Sequence, residues 1–312
     1  MITKAQCPVW VLITLLILRG QKVALPDKMT QLRSIMKTPI FIEDTASLSH
    51  AISKMLKENI SRLIIKGNEH HAIITEKDIG LFLLGDESEK NLDEIPVSQI
   101  MNRITSVNDA MDVETCIEIM LERGIGSLAV TKSNEGIVGI ITKTDIAQYY
   151  IQECAGKHTV GDLMTVTYIA MRDEDYLKDV VAKMIEEKIS RVFLKNENNE
   201  PVGIMTFRDL FHVALEQGNS DAVLDNSDDA ISVVFTRKGF LSESGFGKTI
   251  KAKDVMTKTF ETVDFTEDLV VACESMVQNR INGVGVRING KLAGVVSKTD
   301  IIKAIHVDNK SK

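Results

Sequence analysis

The sequence predicts an α+β protein that consists of four tandem βαββα units associated as two pairs. Three observations in the 312 residues predict this architecture. One strand-to-helix signature recurs four times, two methionines and an isoleucine keep nearly the same spacing in every copy, and apolar residues follow helical or strand periods. Self-similarity at a regular spacing marks a repeat architecture, so the repeats define the fold before any local pattern does.

The strand-to-helix signature is a glycine, two apolar residues, a threonine or serine, two variable residues and an aspartate. Full copies stand at 139–145, 203–209 and 294–300, and a fourth at 72–78 has Ala72 in place of the glycine. Short apolar runs rich in branched residues are typical of buried strands, and Thr/Ser-x-x-Asp is typical of a helix N-terminus. Each copy therefore predicts a strand that leads directly into a helix.

Three further landmarks give the rest of each copy. A first methionine precedes a short β-type run, a second follows 19 or 20 residues later in a helical pattern, and an isoleucine stands five residues beyond it. In chain order these triplets are Met36, Met55 and Ile60; Met101, Met120 and Ile125; Met164, Met184 and Ile189; Met256, Met276 and Ile281. Because one such unit has open sheet edges and a small core, we expect the pair to be the unit of stability.

These landmarks predict domain boundaries. Repeats 1 to 4 span residues 29–90, 91–151, 152–214 and 251–312, with an insertion at 215–250. The predicted pairs are therefore Met29–Ile151 and Gln152–Lys312. Residues 1–28 form an apolar extension whose run Val9–Leu18 is half the length of a membrane span. It is interpreted as a non-native extension, a membrane anchor or an unexplained tail, and membrane contact is expected only if it is native.

Composition narrows the function classes. A net charge of −7 gives no basic footprint for nucleic acid. The four cysteines show no close pairing, which favours a reducing, cytoplasmic location. No nucleophile with a neighbouring base is found, and Ser242–Thr249 has a serine where a P-loop needs its first glycine. The sequence therefore predicts no enzyme activity, no metal and no catalytic cofactor.

Together, the order of elements, the opening methionine, the Ile-Ser-Arg before the second strand and the Gly-h-h-Thr-x-x-Asp end resemble the CBS domain, a module named after cystathionine β-synthase. The resemblance covers Met29 to about Val307. It implies paired repeats whose clefts bind adenosine-containing ligands such as AMP, ADP, ATP or S-adenosylmethionine. Four copies look like the nucleotide-sensing subunit of AMP-activated protein kinase and like stand-alone CBS proteins. The resemblance also implies an internal four-CBS disk or a homodimer.

The resemblance implies nucleotide-binding residues at the four turns, and the same residues have a simpler interpretation as helix caps. They are Thr75, Asp78, Thr142, Asp145, Thr206, Asp209, Ser297 and Asp300. A carboxylate can accept ribose hydroxyls, and free amides at a helix start suit phosphate. A capping box needs no ligand at all. Nucleotide binding requires these groups to point into a shared crevice rather than to be sealed against their own helices.

Two arginines distinguish the repeats. Arg62 and Arg191 directly precede the second strand of repeats 1 and 3, where the kinase subunit carries a phosphate-contacting arginine. Repeats 2 and 4 have Gly126-Ser127 and Asn282-Gly283 there. Repeats 1 and 3 are therefore expected to be the better phosphate sites, the alternative being surface arginines paired with carboxylates. Lys143, Arg208 and Lys298, inside the turns, are expected on a solvated face, the alternative being that they face phosphate. His70 and His71 are expected in an exposed polar turn, the alternative being a metal or pH role.

The expected function is that of a non-catalytic, energy-sensing regulatory protein. An adenosine ligand in a cleft would favour one relative orientation of two repeats, and a partner protein that the sequence cannot name would respond to that orientation. The alternative is a ligand-independent CBS scaffold for dimerisation or partner binding, tethered to a membrane if the N-terminal apolar run is native.

Overall fold

A computed structural model describes residues 32–67, 71–86, 88, 90–133, 135–216 and 250–310. The extension 1–28, almost all of the insertion, the P-loop-like segment 242–249 and His70 lie outside the described residues. Within the described ranges, no helix combines the length and the apolar character that crossing a membrane requires.

Each repeat contains a core of three strands and two main helices in the predicted order, and repeat 2 has one additional short strand, β4. Repeat 1 contains β1 Phe41–Glu43, α1 Leu48–Lys57, β2 Arg62–Lys66, β3 Ala72–Thr75 and α2 Glu76–Gly85. Repeat 2 contains β4 Asn102–Arg103, β5 Ser106–Asn108, α3 Val113–Glu122, β6 Ser127–Lys132, β7 Gly136–Thr142 and α4 Lys143–Glu153. Repeat 3 contains α5 Val160–Leu163, β8 Ala170–Arg172, α6 Leu177–Glu186, β9 Arg191–Lys195, β10 Pro201–Thr206 and α7 Asp209–Glu216. Repeat 4 contains α8 Ala252–Val255, β11 Thr262–Asp264, α9 Leu269–Gln278, β12 Gly283–Ile288, β13 Lys291–Ser297 and α10 Lys298–Lys310.

The sheet topology is the same in every repeat. Of the three core strands, the second lies in the centre. It is parallel to the first and antiparallel to the third, as β2 is to β1 and β3. The same arrangement holds for β5–β6–β7, β8–β9–β10 and β11–β12–β13. The predicted α+β class with four βαββα units is therefore confirmed.

The constant spacing from methionine to isoleucine has a structural cause. In each repeat the isoleucine N–H donates to the carbonyl of the methionine five residues earlier, at 2.9 to 3.1 Å. The residue before the isoleucine has a left-handed backbone in all four copies, namely Asn59, Gly124, Lys188 and Arg280. This bond across a left-handed residue is that of a Schellman helix terminus. The motif thus marks where each helix stops and its central strand begins.

Within a pair, the segment before the first core strand of one repeat pairs with the third strand of the other repeat. Lys37 bridges to Ile140, Thr165 to Val295 and Thr257 to Ile204 through backbone hydrogen bonds, and β4 of repeat 2 joins the sheet of repeat 1. The opening methionines then rest on the signature glycines. A Cβ at Gly139 would lie 2.5 Å from Sδ of Met36, and a Cβ at Gly203 would meet Met256 at the same distance. Close packing of the partner's methionine therefore explains this glycine.

The hydrophobic core joins the two pairs. One cluster combines the helices and sheets of repeats 1 and 3, for example Met55 and Leu83 with Met184 and Phe211. A second combines repeats 2 and 4 in the same way. The sheets of repeats 1 and 2 meet at a small cluster of Ile64, Ala129 and Ile140. Because the large clusters cross between pairs, one chain brings all four strand-to-helix turns into one assembly.

Candidate functional site

All four signature turns form the same hydrogen-bonded cap. The backbone N–H and the hydroxyl of the threonine or serine donate to Oδ2 of the aspartate three residues later. These distances are 2.5 to 3.0 Å for Thr75–Asp78, Thr142–Asp145, Thr206–Asp209 and Ser297–Asp300. The helix-cap interpretation of these residues is therefore correct as far as the hydroxyl and one carboxylate oxygen are concerned.

The other carboxylate oxygen, Oδ1, differs among the turns. In Asp78 and Asp145, Oδ1 accepts no hydrogen bond from the described residues. In Asp300 it lies 3.5 Å from Nζ of the exposed Lys303. In Asp209 it accepts a hydrogen bond of 3.0 Å from the hydroxyl of Thr257. The four copies thus share the two hydrogen bonds of the cap to Oδ2 and differ in the partner of Oδ1.

The two arginines singled out from the sequence lie on the glycines of their partner repeats. Nη1 of Arg62 in repeat 1 donates to the carbonyl of Gly126 in repeat 2 at 2.8 Å. A Cβ at Gly283 in repeat 4 would overlap the guanidinium of Arg191 from repeat 3. Both arginines are half-buried, and among the described residues neither forms an ion pair. Their other hydrogen bonds go to the hydroxyls of Ser61 and Ser190, so they are not surface arginines paired with carboxylates.

Two lysines connect the pairs at what we call the repeat 2/4 junction, formed by Lys143, Thr144, Lys298 and Thr299. Nζ of Lys143 donates to Oγ1 of Thr299 at 2.9 Å, and Nζ of Lys298 donates to Oγ1 of Thr144 at 2.8 Å. Lys298 is only 3% exposed. The expectation that these lysines lie on a solvated face is therefore wrong, because the first helical turns of α4 and α10 face each other.

The matching positions of repeats 1 and 3 form a different contact, the repeat 1/3 junction. Nε and Nη2 of Arg208 approach Oε1 of Glu76 at 2.6 Å, and Nη2 also donates to the carbonyl of Ile60. Phe207 lies so close to α2 that a Cβ at Gly80 would come within 2.6 Å of its ring. Arg208 is therefore half-buried in an ion pair, contrary to the expected solvated face.

Burial and mutual repulsion affect the cations near the repeat 2/4 junction. Burial, followed by the positive charges of Arg62 and Arg191, lowers the pKa of Lys298 to about 8. Burial also lowers the pKa of Arg191 to about 10 and lowers the pKa of Arg62. The carboxylates that act on these cations are Glu76, Asp145 and Asp78 for Arg62, Asp300 for Arg191 and Lys143, and Asp145 for Lys298. Burial raises the pKa of Asp145. Four basic groups therefore lie near four carboxylates, but among the described residues they form no ion pair with any of them, and Glu76 is already paired with Arg208.

Sequence reasoning singled out the turns and the arginines and named phosphate as an alternative for the two lysines, but it missed the contacts that these lysines make between the pairs. The signal was present, because Lys143 and Lys298 occupy the same position of the signature and each is followed by a threonine. What no single repeat reveals is that the lysine of one copy binds the threonine of the other. His71, expected in an exposed turn, is half-buried beside the ring of Phe41, with ring centroids 6.3 Å apart.

Comparison with known families agrees with this geometry. The model of the CBS domain family matches residues 32–84, 97–152, 160–216 and 252–307. Protein MJ1225 of Methanocaldococcus jannaschii is 22% identical over 284 residues, which cover 86% of this chain and 95% of that protein. Protein MJ1404 of the same organism is 23% identical over 276 residues, 86% of this chain and 60% of that protein.

Solved structures share the fold. The crystal structure of MJ1225, proposed to be an archaeal homolog of g-AMPK, has a TM-score of 0.70 at 20% identity and covers 88% of this chain and 100% of that chain. A conserved protein from Pyrococcus horikoshii has a TM-score of 0.55 at 16% identity with the same coverage. At these identities the likeness establishes the fold, and the resemblance seen in the sequence is confirmed.

Proposed function

The chain belongs to the CBS domain family, and on that premise we propose that it is a non-catalytic regulatory protein that binds adenosine-containing ligands. The ligands considered are AMP, ADP, ATP and S-adenosylmethionine, each held by a strand-to-helix turn and the facing segment of the partner repeat. Asp145 and Asp300 would accept ribose hydroxyls through the oxygen that the cap leaves available. Thr75, Asp78, Thr142 and Ser297 complete the proposed binding set, and Thr206 and Asp209 form the equivalent turn of repeat 3.

One observation carries this proposal, namely that the four cations at and beside the repeat 2/4 junction form no ion pair with a carboxylate among the described residues. A buried cation without a carboxylate partner is costly, because desolvation is not offset by an ion pair. A phosphate group placed between Arg62, Lys143, Arg191 and Lys298 would supply the missing negative charge, and guanidiniums bind phosphate oxygens bidentately. We therefore propose that the arginines of repeats 1 and 3 serve ligands held by the turns of repeats 2 and 4.

The proposed mechanism is a population shift. A phosphate at the repeat 2/4 junction would compete with Thr144 and Thr299 for the two lysines, so that its binding energy would act on the contact between the pairs. The ligand would then favour one relative orientation of the pairs, which a partner protein could recognise. The partner is a protein that binds one orientation better than the other.

A second candidate function is a ligand-independent scaffold, and the complete caps favour it. Because each hydroxyl and one oxygen of each aspartate are already hydrogen-bonded within their own turn, the turns need no ligand to be stable. The shared clusters between repeats 1 and 3 and between repeats 2 and 4 also provide a rigid support without any nucleotide.

A thermal-unfolding screen distinguishes the two candidates. The protein is unfolded alone and with AMP, ADP, ATP, S-adenosylmethionine or adenosine, with GMP and inorganic phosphate as controls. A ligand at 100 times its dissociation constant stabilises the folded state by about 2.7 kcal/mol and raises the unfolding temperature measurably. A rise with adenosine compounds but not with GMP supports the sensor. No rise with any adenosine compound supports the scaffold.

A further inference from the structure

The four turns differ in one contact that bears on which of them can hold a ligand. At each turn, a segment from the partner repeat lies opposite the residue two positions before the hydroxyl residue. The facing residues are Lys37 at Ile140, Asn102 at Ile73, Thr165 at Val295 and Thr257 at Ile204. The backbone geometry is thus the same four times, and only the facing side chain varies.

Thr257 alone among these four facing residues bonds to the carboxylate of the turn. Its hydroxyl donates to Oδ1 of Asp209 at 3.0 Å, while Oδ2 accepts the N–H and hydroxyl of Thr206 at 2.6 and 2.8 Å. Asp209 is 8% exposed. Both oxygens of this carboxylate are therefore occupied by donors of the protein itself.

The segment that carries Thr257 is held in place by aromatic packing. Phe260, three residues further on, packs edge-on against Phe193 with ring centroids 5.1 Å apart, and Phe193 packs against Tyr168 at 5.2 Å. Phe193 pairs in register with Ala170 at the position where Ile64 pairs with Phe41 in repeat 1. The ring of Phe193, almost completely buried, thus stands where repeat 1 has an aliphatic side chain. This packing opposes a withdrawal of Thr257 from Asp209.

We infer that the Thr257 hydroxyl takes the place of a ribose hydroxyl at Asp209, so that the turn of repeat 3 is closed to adenosine ligands while the other three turns stay open. The inference rests on the proposed function and specifies which of its sites are used. A ligand at this turn would have to displace a hydrogen bond to a charged group, which lowers affinity by roughly ten- to a hundredfold. Thr257 is thus a specificity-determining residue.

Thr165 provides a matched control within the same pair. Its backbone N–H and carbonyl pair with Val295 at 2.8 and 3.0 Å, as those of Thr257 pair with Ile204 at 3.0 and 2.9 Å. Among the described residues, its hydroxyl makes no hydrogen bond to Asp300. Two threonines therefore share a position in the fold, and only one of them closes its turn.

The test counts bound ligand in the full chain by isothermal titration calorimetry and equilibrium dialysis with AMP and adenosine. Thr257→Ala is expected to add one site per chain relative to the wild type, whereas Thr165→Ala and Thr257→Ser are expected to add none. Asp209→Asn is expected to leave the wild-type number unchanged and to remove the site gained in Thr257→Ala. Circular dichroism checks that each variant is folded.

The outcomes separate this inference from the proposed function. A loss of one site in Asp209→Asn with Thr257 intact would overturn the closed turn while leaving the sensor in place, as would an unchanged count in a folded Thr257→Ala protein that still binds AMP. Absence of binding in the wild type and in Thr257→Ala alike would overturn both ideas. Binding by Thr257→Ala alone would support the closure and correct the sensor proposal.

Discussion

The repeat 1/3 junction and the repeat 2/4 junction occupy equivalent places in the fold but differ in charge. In the first, Glu76 and Arg208 neutralise each other across the two pairs. In the second, Lys143 and Lys298 each cross to a neutral threonine, and Arg62 and Arg191 add to the positive charge. At the first junction, each charged group has its partner within the protein. At the second, the desolvation of the cations is not offset by an ion pair, and a bound anion would offset it. The difference teaches that the first junction is a neutralised structural contact, whereas the second is the place where the proposed function puts a phosphate.

The largest expected effect concerns the two arginines. Arg62→Ala and Arg191→Ala should each weaken AMP and ATP binding by about ten- to a hundredfold, because a charge-assisted bond is worth about 1.5–3 kcal/mol. Adenosine binding should change less, since adenosine has no phosphate. Titration calorimetry measures both, with Arg208→Ala as the control from the repeat 1/3 junction. An equal loss for nucleotide and nucleoside would show that the arginines do not recognise phosphate.

Breaking the repeat 1/3 junction should chiefly affect stability. Arg208→Ala is expected to lower the free energy of unfolding by about 2 kcal/mol, because it leaves the carboxylate of Glu76 half-buried and unpaired. Glu76→Gln in the same background should recover part of the loss. Urea unfolding measures the change. If the unfolding midpoint of Arg208→Ala equals that of the wild type, the ion pair does not hold the two pairs together.

At the repeat 2/4 junction, a neutral substitution should have opposite effects on stability and binding. Lys298→Met replaces a buried charged side chain by an apolar one of similar volume. We therefore expect the ligand-free protein to become more stable by about 1–2 kcal/mol at pH 7. AMP affinity should fall in the same variant. Lys303→Met, at an exposed lysine on the same helix, serves as the control. A destabilised Lys298→Met protein would mean that the lysine supports the fold instead.

The smallest effect is a pH dependence with a defined sign. The pKa of Lys298 is about 8 in the folded protein and 10.5 in the unfolded chain, so the unfolded state binds more protons between these values. The contribution of Lys298 to stability therefore increases as pH rises through this window. A bound phosphate would raise this pKa, so AMP binding at pH 8 should take up protons and weaken by up to about tenfold from pH 7 to pH 9.

Calorimetry in buffers of different ionisation enthalpy measures this proton uptake. Adenosine binding should lack it, and Lys298→Met should abolish it for AMP. Uptake that persists in Lys298→Met would assign the titrating group to another residue at the site.

Particular residues explain why the sequence predicted some of these features well. The interval from Met55 to Ile60 and its three counterparts reflects a bond between those very residues, so local chemistry fixes the boundary of each helix. Thr142 and Asp145 likewise cap their own helix three residues apart. Interactions over so few residues leave a pattern in the chain, and the pattern therefore predicted four units, their strand order and the positions of the turns.

The positions of Lys298 and Arg191 could not be predicted in this way. Lys298 contacts Thr144, 154 residues earlier in the chain, and Arg191 lies over Gly283. The expected solvated face for Lys143, Arg208 and Lys298 followed from the polar character of the residues, and packing between pairs overruled it. Composition cannot indicate which surfaces of four similar units meet, because each unit carries the same pattern.

By itself the sequence determined the repeated unit, its pairing, its family and the four capped turns, because these depend on backbone geometry and contacts that recur within each copy. Only the tertiary structure decided that two arginines contact glycines of the partner repeats and that two lysines lie between the pairs. It alone also decided that the hydroxyl of Thr257 donates to Oδ1 of Asp209. These features arise where copies meet, and differences at equivalent positions of the repeats place an ion pair at one junction and two lysines on threonines at the other.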